Sequence, residues 1–287
     1  MDSRKNMMLV MLAGILMVWG CASHKAIWGS PEEGIIMSYH QPEGTVNKYK
    51  YISQESGVVD QMGTKFNVTM DAVGDALQKI VKVSDDKISQ ELSYTSLSIT
   101  QKDDRTGTSS IPTANVLNKP LILETGKRGE NADMKNIGDL PSLENSVNPQ
   151  GISLMTLIHE LALKPVKIND TWNSLETAPL ELPNANMDFT FDTDYTFTGM
   201  EKKMEFDCMK ISATGKYSIK GSMTIEGQNM GMERTVTFES TIFFAYKNGF
   251  IVEISEKSKG NMIIDIPAAN QEITMPFTGT VDMSYVK

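Results

Sequence analysis

The stretch from Met187 to Phe197 reads MDFTFDTDYTF and decides the fold class. Aromatic residues occur only at odd positions, and acidic residues and threonine lie between them. Successive side chains of a β-strand point to opposite faces, so this period of two predicts a strand with one apolar and one solvated face. The apolar set is Phe189, Phe191, Tyr195 and Phe197, and the polar set is Asp188, Thr190, Asp192 and Asp194.

Further strands are predicted on the C-terminal side of this stretch. The alternating or apolar runs cover 209–225, 232–246, 250–256, 262–266 and 273–285. Asn248-Gly249 is a dipeptide typical of a tight hairpin, and it separates two of these runs. The last hundred residues therefore predict an antiparallel meander with one wet face.

The N-terminal part of the body has the same period of two from Thr45 onward, with hairpin signals at Ser84–Lys87 and Gly126–Gly129. The pattern over 45–287 thus predicts a mainly β (α+β) body that consists of a large curved antiparallel sheet or half-barrel. This length allows either one large domain or two halves, 45–147 and 166–287.

One segment, 152–163, departs from the period of two. Its Leu154, Ile158 and Leu161 have the spacing of one helix face, and a proline two residues beyond the segment ends a helix. The pattern predicts an amphipathic helix that joins the two halves and packs on the sheet as a lid or plug. These three side chains are the candidates for contact with an apolar ligand.

The start of the chain has the pattern of a secretion signal. Arg4 and Lys5 precede an apolar run, 7–20, which stops at Cys21. That run is too short to cross a ~30 Å hydrocarbon core comfortably, which favours a signal over a transmembrane helix. The four residues that end at Cys21 resemble the lipobox of bacterial lipoproteins.

The lipobox resemblance implies that residues 1–20 are removed and that Cys21 is acylated, by palmitate or a similar chain. Several acyl chains give an effectively permanent membrane anchor. Ala22, in a diderm host, implies an outer-membrane location facing the periplasm. Residues 21–44 contain several Ser, Pro, Gly and Glu residues and are interpreted as a tether, although Trp28 and 35–37 could dock on the body.

Composition excludes some partners. The formal net charge is −9, with 27 basic and 36 acidic residues, so we expect no nucleic-acid binding. An acidic body is also repelled by anionic lipids, and membrane attachment therefore depends on Cys21. Once Cys21 is acylated, Cys208 has no disulfide partner, and we expect it to be a small buried residue of a strand.

The body resembles an uncharacterised family of secreted bacterial proteins, classed only as a domain of unknown function. The residues that carry the resemblance are Lys164–Trp172, Asp207–Ile211, Gly221, Phe243-Phe244 and Gly249. Asn169 stands where the family typically has glycine, and asparagine tolerates a positive φ. The resemblance implies a mainly β fold without a known activity, with Asn169, Asp170 and Trp172 forming a structural turn and a buried anchor.

No catalytic or metal-binding constellation is recognisable. His159-Glu160 matches the first half of a zinc-protease helix, but Leu163 occupies the position of the second histidine. Asp192 and Asp194 share a strand face, yet no loop has the ligand density that calcium needs. We therefore expect no enzyme activity, no metal and no cofactor.

The functional prediction is an outer-membrane-anchored lipoprotein that binds an apolar ligand, such as a lipid, or an envelope partner. The 20 methionines suit an adaptable apolar surface, although core filling explains them too. The alternative is a structural or assembly component of the envelope that uses a sheet edge and the polar loops 101–110 and 131–146. An enzyme is the third interpretation.

Overall fold

A computed structural model describes residues 28–136, 154–182, 185–225 and 227–287. Within these residues the chain forms fourteen β-strands and two short 3-10 turns. The strands are β1 Gly29–Ser30, β2 Gly34–Ile35, β3 Val46–Gln61, β4 Thr64–Val83, β5 Lys87–Asp103, β6 Gly107–Ile111, β7 Leu121–Gly126, β8 Asp133–Met134, β9 Thr171–Leu182, β10 Ala185–Lys203, β11 Phe206–Ile225, β12 Gln228–Ala245, β13 Phe250–Ile266 and β14 Gln271–Val286.

Twelve of these strands form one curled antiparallel sheet. Its order is β8-β7-β5-β4-β3-β14-β13-β12-β11-β10-β9, with β6 paired to β5. The C-terminal strand β14 pairs with β3, so both halves of the chain share one hydrogen-bonded sheet. The prediction of a mainly β, curved antiparallel half-barrel is confirmed.

Glycines opposite aromatic rings occur where the long strands curve. Phe277 on β14 lies between Gly260 on β13 and Gly57 on β3. A Cβ atom on Gly260 would lie 2.7 Å from the Phe277 ring, which leaves no room for a side chain there. Glycine at such sites lets a sheet bend, and the neighbouring aromatic side chain covers the exposed backbone.

The predicted hairpins at Ser84–Lys87 and Asn248-Gly249 are confirmed. Asn248 and Gly249 donate backbone hydrogen bonds to the Ala245 carbonyl, at 2.9 and 2.8 Å. Gly249 has a φ of 72°, and a Cβ there would lie 2.6 Å from the His40 backbone nitrogen. Glycine is therefore required for the turn and for the approach of the N-terminal segment.

The predicted helix over 152–163 is wrong for the part that the structure describes. Residues Met155–Leu157 form one 3-10 turn, and residues 158–162 then follow without regular secondary structure. Its backbone bonds go to other parts of the fold, because Leu161 N donates to Arg128 O (2.7 Å) and Tyr39 Oη bonds both backbone groups of His159. We call residues 154–162 the covering segment, since they lie over the inner face of the sheet.

The predicted tether over 21–44 is corrected for residues 28–44. Ile35, Met37 and Tyr39 are buried in the core, and Ile35 forms an antiparallel bridge with Val166. The apolar side chains at positions 35, 37 and 39 pack this stretch against the body, which agrees with the docking alternative. Residues 1–27, including Cys21, lie outside the described residues, as do positions 137–146 of the polar loop 131–146.

Residues 101–110 form the β5–β6 hairpin and are not a free loop, because β5 extends to Asp103 and β6 begins at Gly107.

A ladder of buried amide side chains crosses the first half of the sheet. Asn47 Nδ2 donates to Gln78 Oε1 (2.9 Å), and Gln78 Nε2 donates to Gln90 Oε1 (2.7 Å). Gln41 and Asn47 bond each other, and Tyr49 Oη donates to Gln78 Oε1. The ladder thereby attaches the N-terminal segment to three strands.

Candidate functional site

The turn that carries the family resemblance leads the chain into β9. Asn169 has a φ of 76°, in the left-handed region, and its N–H donates to Phe197 O at 2.7 Å. Asp170 closes the turn, since its Oδ2 accepts from Lys167 N at 2.8 Å. Trp172 is half-buried and stacks on Tyr195, with ring centroids 5.2 Å apart.

Trp172 also fastens the covering segment, because its Nε1 donates to Glu160 O at 2.9 Å. Ser174, two residues further on the same face of β9, donates to Glu160 Oε2 at 2.8 Å. Arg128 holds the segment from the other side through Leu161 O (3.1 Å). The segment is thus fixed from both sides.

The three predicted ligand contacts separate in the structure. Leu154 and Leu161 are buried in the core, each 3% exposed. Ile158 alone of the three lines a partly enclosed cavity between the covering segment and the inner face of the sheet.

This cavity has a volume of about 190 Å³. An aromatic wall and several charged side chains converge on it from strands β3, β9, β10, β11, β12 and β13. The aromatic and charged residues of its lining include Glu55, His159, Glu176, Phe189, Phe191, Tyr217, Arg234 and Glu256. None of these eight residues is one that the sequence predicts as a ligand contact.

Arg234 and Glu55 form an ion pair in this cavity. Arg234 is 8% exposed, and its Nη2 lies 2.5 Å from Glu55 Oε2. Its guanidinium group also lies over the Phe277 ring, 4.1 Å from the centroid. Burial disfavours the charge of Arg234, but Glu55 and Tyr217 more than offset this and raise its pKa. The charge of Arg234 is therefore balanced within the protein.

Two further carboxyl groups lie in the cavity without a cationic partner among the described residues. Burial raises the pKa of Glu256, against the opposing effect of the hydrogen bond from Ser240 at 3.0 Å. Burial, followed by the charges of Glu160 and Glu130, raises the pKa of Glu176 to about 7. Burial therefore disfavours the charged form of both acids.

His159 lines the cavity from the covering segment. It is buried, its Nδ1 lies 3.2 Å from Tyr195 Oη, and its Nε2 has no hydrogen-bond partner among the described residues. Burial lowers its pKa to about 4, despite the opposing effect of the Thr156 backbone. The imidazole is therefore neutral at pH 7. In the described part of the chain, no three or more His, Cys, Asp or Glu side chains lie together so that they could hold a metal ion.

The alternation of inward and outward positions along the strands is the sequence signal that marks the charged cavity residues. Arg234 stands between Met232 and Val236, and Glu256 follows Ile254 by two positions, so each occupies an inward position of its strand. A charged residue at an inward position is costly unless it has a partner or a function. The pattern therefore indicates that these residues have a partner or a function, but it does not predict which strands face each other.

A wider groove of about 680 Å³ is open to solvent and shares part of its lining with the cavity. Its lining includes the exposed residues Thr237, Lys257, Lys259 and Thr278. Because no charged side chain in this lining is buried, we regard the enclosed cavity as the candidate site.

Cys208 is fully buried in β11, as the sequence predicts for a small strand residue. Burial raises the pKa of its thiol to about 11, so little thiolate exists at neutral pH and the residue is unreactive.

No family model and no curated protein matches the chain. Among solved structures, an outer membrane channel from Pseudomonas putida F1 is 9% identical with a TM-score of 0.27, and the match covers 86% of this chain and 97% of that chain. A DUF1329 family protein from Desulfovibrio piger is 9% identical with a TM-score of 0.17, covering 83% and 85%. OmpF of Salmonella typhi in complex with daunomycin is 5% identical with a TM-score of 0.23, covering 85% and 100%.

These TM-scores are too low for the likeness to carry an argument about function or location. In the described part of the chain, no helix is both long and apolar enough to cross a membrane.

Proposed function

We propose that the protein is a non-enzymatic binding protein of the cell envelope, anchored in the outer membrane through acylated Cys21 and facing the periplasm. The observation that supports a binding role is the cavity between the covering segment and the sheet, where aromatic and polar side chains converge. Its volume of about 190 Å³ is below the ~300–1,000 Å³ typical of pockets for drug-sized ligands. The occupant is therefore a small molecule rather than a full-length acyl chain.

A cavity-filling substitution tests the binding role. Val281 on β14 lines the cavity, whereas Val286 on the same strand is 44% exposed. We expect native mass spectrometry of protein extracted from its own envelope to detect a bound small molecule in the wild type and in Val286→Trp, but not in Val281→Trp. A wild-type protein that carries no small molecule would contradict the proposal.

The anchor is tested separately. Cys21→Ser should leave a signal-bearing precursor without incorporated radiolabelled palmitate, because the thiol that accepts the lipid is missing. Cys208→Ser is the matched control and should be labelled like the wild type, since this thiol is buried. Palmitate in the Cys21→Ser protein would refute the assignment.

A second candidate function, assembly with another envelope protein, is favoured by the free edge of β9. Among the described residues β9 pairs only with β10, and Leu175 on this strand is 66% exposed. An open edge can accept a strand from a partner. Crosslinking in living cells from position 175 tests it, and a reproducible single partner is the expected result.

A further inference from the structure

The charges that line the cavity do not balance. Arg234 is neutralised by Glu55, through contacts of 2.5 and 3.5 Å. Among the described residues, Glu176 makes no ion pair and no hydrogen bond, and Glu256 accepts a hydrogen bond only from Ser240. An occupant with one or two positive charges would supply the missing partner, because an opposite charge favours the ionised form of a buried acid.

The covering segment adds a further polar group to the cavity. The Nε2 atom of His159 is buried and lacks a partner among the described residues. When Nδ1 carries the proton, Nε2 offers a lone pair to a hydrogen-bond donor. Buried polar atoms in native proteins nearly always have a partner, and a hydrogen-bond donor on an occupant of the cavity would supply one for this atom.

The opposite wall is aromatic. The rings of Phe189, Phe191 and Tyr217 lie with centroids 6.0 to 6.1 Å apart, and the Phe191 and Tyr217 rings are nearly parallel at 8°. Aromatic faces attract cations and also pack against apolar groups. This wall can therefore receive both the charged end and the apolar body of a small cation.

We propose that the cavity binds a small organic cation, an ammonium group on a short apolar body, with Glu176 and Glu256 as its acidic partners and Phe189, Phe191 and Tyr217 as its aromatic wall. This assignment rests on the proposed binding function and specifies its ligand class. It differs from a carrier of neutral lipids, whose acyl chains would face two uncompensated acids.

Three probes of similar size test the assignment: phenethylammonium, neutral 2-phenylethanol and anionic phenylacetate. Each is titrated calorimetrically into the full-length protein in a nonionic detergent at pH 8. We expect phenethylammonium to bind at least tenfold more tightly than the alcohol, and phenylacetate not to bind. If the alcohol binds as tightly as the ammonium, the cation assignment fails and the binding function stands. If no probe binds, both proposals fail.

Isosteric variants locate the site. Glu176→Gln and Glu256→Gln should each weaken phenethylammonium binding at least tenfold and leave 2-phenylethanol unchanged, because only the charge is removed. Glu239→Gln is the control, since Glu239 is exposed on β12. Thermal unfolding of each variant checks the fold, and unchanged ammonium binding by both folded cavity variants would overturn the assignment.

The pH dependence gives an independent readout. Because the pKa of Glu176 is about 7 and the ammonium pairs with the ionised acid, ammonium affinity should rise about tenfold from pH 6 to pH 8. The charged and titratable groups that face Glu176 from the surrounding elements are Glu55, Glu130, His159, Glu160, Tyr195, Tyr217, Arg234 and Glu256. Of these, His159 stays neutral and Arg234 charged over this range. An affinity that falls with rising pH would contradict the assignment.

Discussion

Glu176 couples the stability of the fold to pH. Its pKa is raised from 4.5 to about 7 by burial and by the charges of Glu160 and Glu130. The folded chain therefore keeps a proton that the unfolded chain has released, and stability falls as pH rises from about 4.5 to 7. We expect Glu176→Gln to remove this loss. Allowing for solvent screening, its free energy of unfolding should exceed that of the wild type by about 1–2 kcal/mol at pH 8, and the two values should be equal near pH 4.

Urea unfolding of both proteins at pH 4 and pH 8 measures this difference. His159 has the opposite sign, because its lowered pKa makes stability fall as pH drops from 6.5 towards 4. It is present in both proteins, so its effect cancels in the difference. A stability difference that is the same at both pH values would show that Glu176 is not desolvated.

Trp172 contributes both packing and a hydrogen bond. It stacks on Tyr195 and donates to Glu160 O, but it is only half-buried. Trp172→Ala should therefore cost roughly 2–4 kcal/mol, at or below the ~3–5 kcal/mol typical of a buried aromatic residue. Trp172→Phe keeps most of the stack and should lose about 1 kcal/mol. Equal unfolding midpoints for the wild type and Trp172→Ala would contradict a structural role.

Local features of single residues could be predicted, whereas their distant partners could not. The positive φ of Asn169 follows from the intrinsic tolerance of asparagine, and the turn needs only neighbours within three residues. Arg234 and Glu55, in contrast, are 179 residues apart in sequence. Nothing in the alternation of β12 or β3 states that these strands face each other across a cavity.

At the scale of elements, two substitutions in the covering segment test its observed irregular path against the predicted helix. Leu157 is 1% exposed and buried in the core, whereas Ile158 lines the cavity. Leu157→Ala should cost roughly 2–5 kcal/mol and Ile158→Ala about 1 kcal/mol, because the cavity side lacks dense packing. Denaturant unfolding measures both values. The reverse order would support the helix that the sequence predicts, in which Ile158 faces the core.

The spacing of Leu154, Ile158 and Leu161 was a misleading signal for physical reasons. A 3-10 turn at Met155–Leu157 followed by irregular chain buries Leu154, Leu157 and Leu161, which are also three and four residues apart. A helix would have needed its own backbone bonds, but Tyr39, Arg128 and Trp172 satisfy the backbone groups of this segment instead. Tertiary partners of this kind override local propensity.

The buried amide ladder makes Gln78 critical for the first half of the sheet. Gln78→Ala would leave Asn47 Nδ2, Tyr49 Oη and Gln90 Oε1 with fewer partners in a buried setting. Since an unsatisfied buried polar group costs about 1–3 kcal/mol, we expect a loss of roughly 2–4 kcal/mol. Gln54→Ala, at an exposed hydrogen bond to Asp71, is the control and should lose less than about 0.5 kcal/mol. Equal effects of the two variants would contradict the importance of the ladder.

At the scale of the whole molecule, the sequence predicted the strands and their curvature class but left the number of domains open. Hairpin turns are local, so β12 and β13 could be paired from Asn248-Gly249 alone. The pairing of β3 with β14 joins opposite ends of the body and has no local signal. That pairing makes one sheet of the two halves.

This pairing predicts that the body unfolds as one cooperative unit. β14 is hydrogen-bonded to β13 on one side and to β3 on the other, so a proline at Val281 removes a ladder bond on whichever side the N–H points. Val281→Pro should therefore lower the protection of β4 and β12 by the same free energy, about 1–3 kcal/mol, which is the cost of leaving a ladder carbonyl without its donor. Thr171→Pro, at the first residue of the edge strand β9, is the control and should leave the hydrogen-exchange protection of β4 and β12 unchanged.

Hydrogen exchange with mass spectrometry at increasing urea concentrations measures the two strands separately. If the body unfolds as one cooperative unit, peptides from β4 and β12 open at the same urea concentration in the wild type. They also open together, at a lower concentration, in Val281→Pro. The naturally occurring Pro276 is tolerated in β14 because the ladder with β3 skips positions 275–276, between the pairs of Thr274 and Phe277. If β12 opened well before β4, the two halves would be separate domains that merely share an edge.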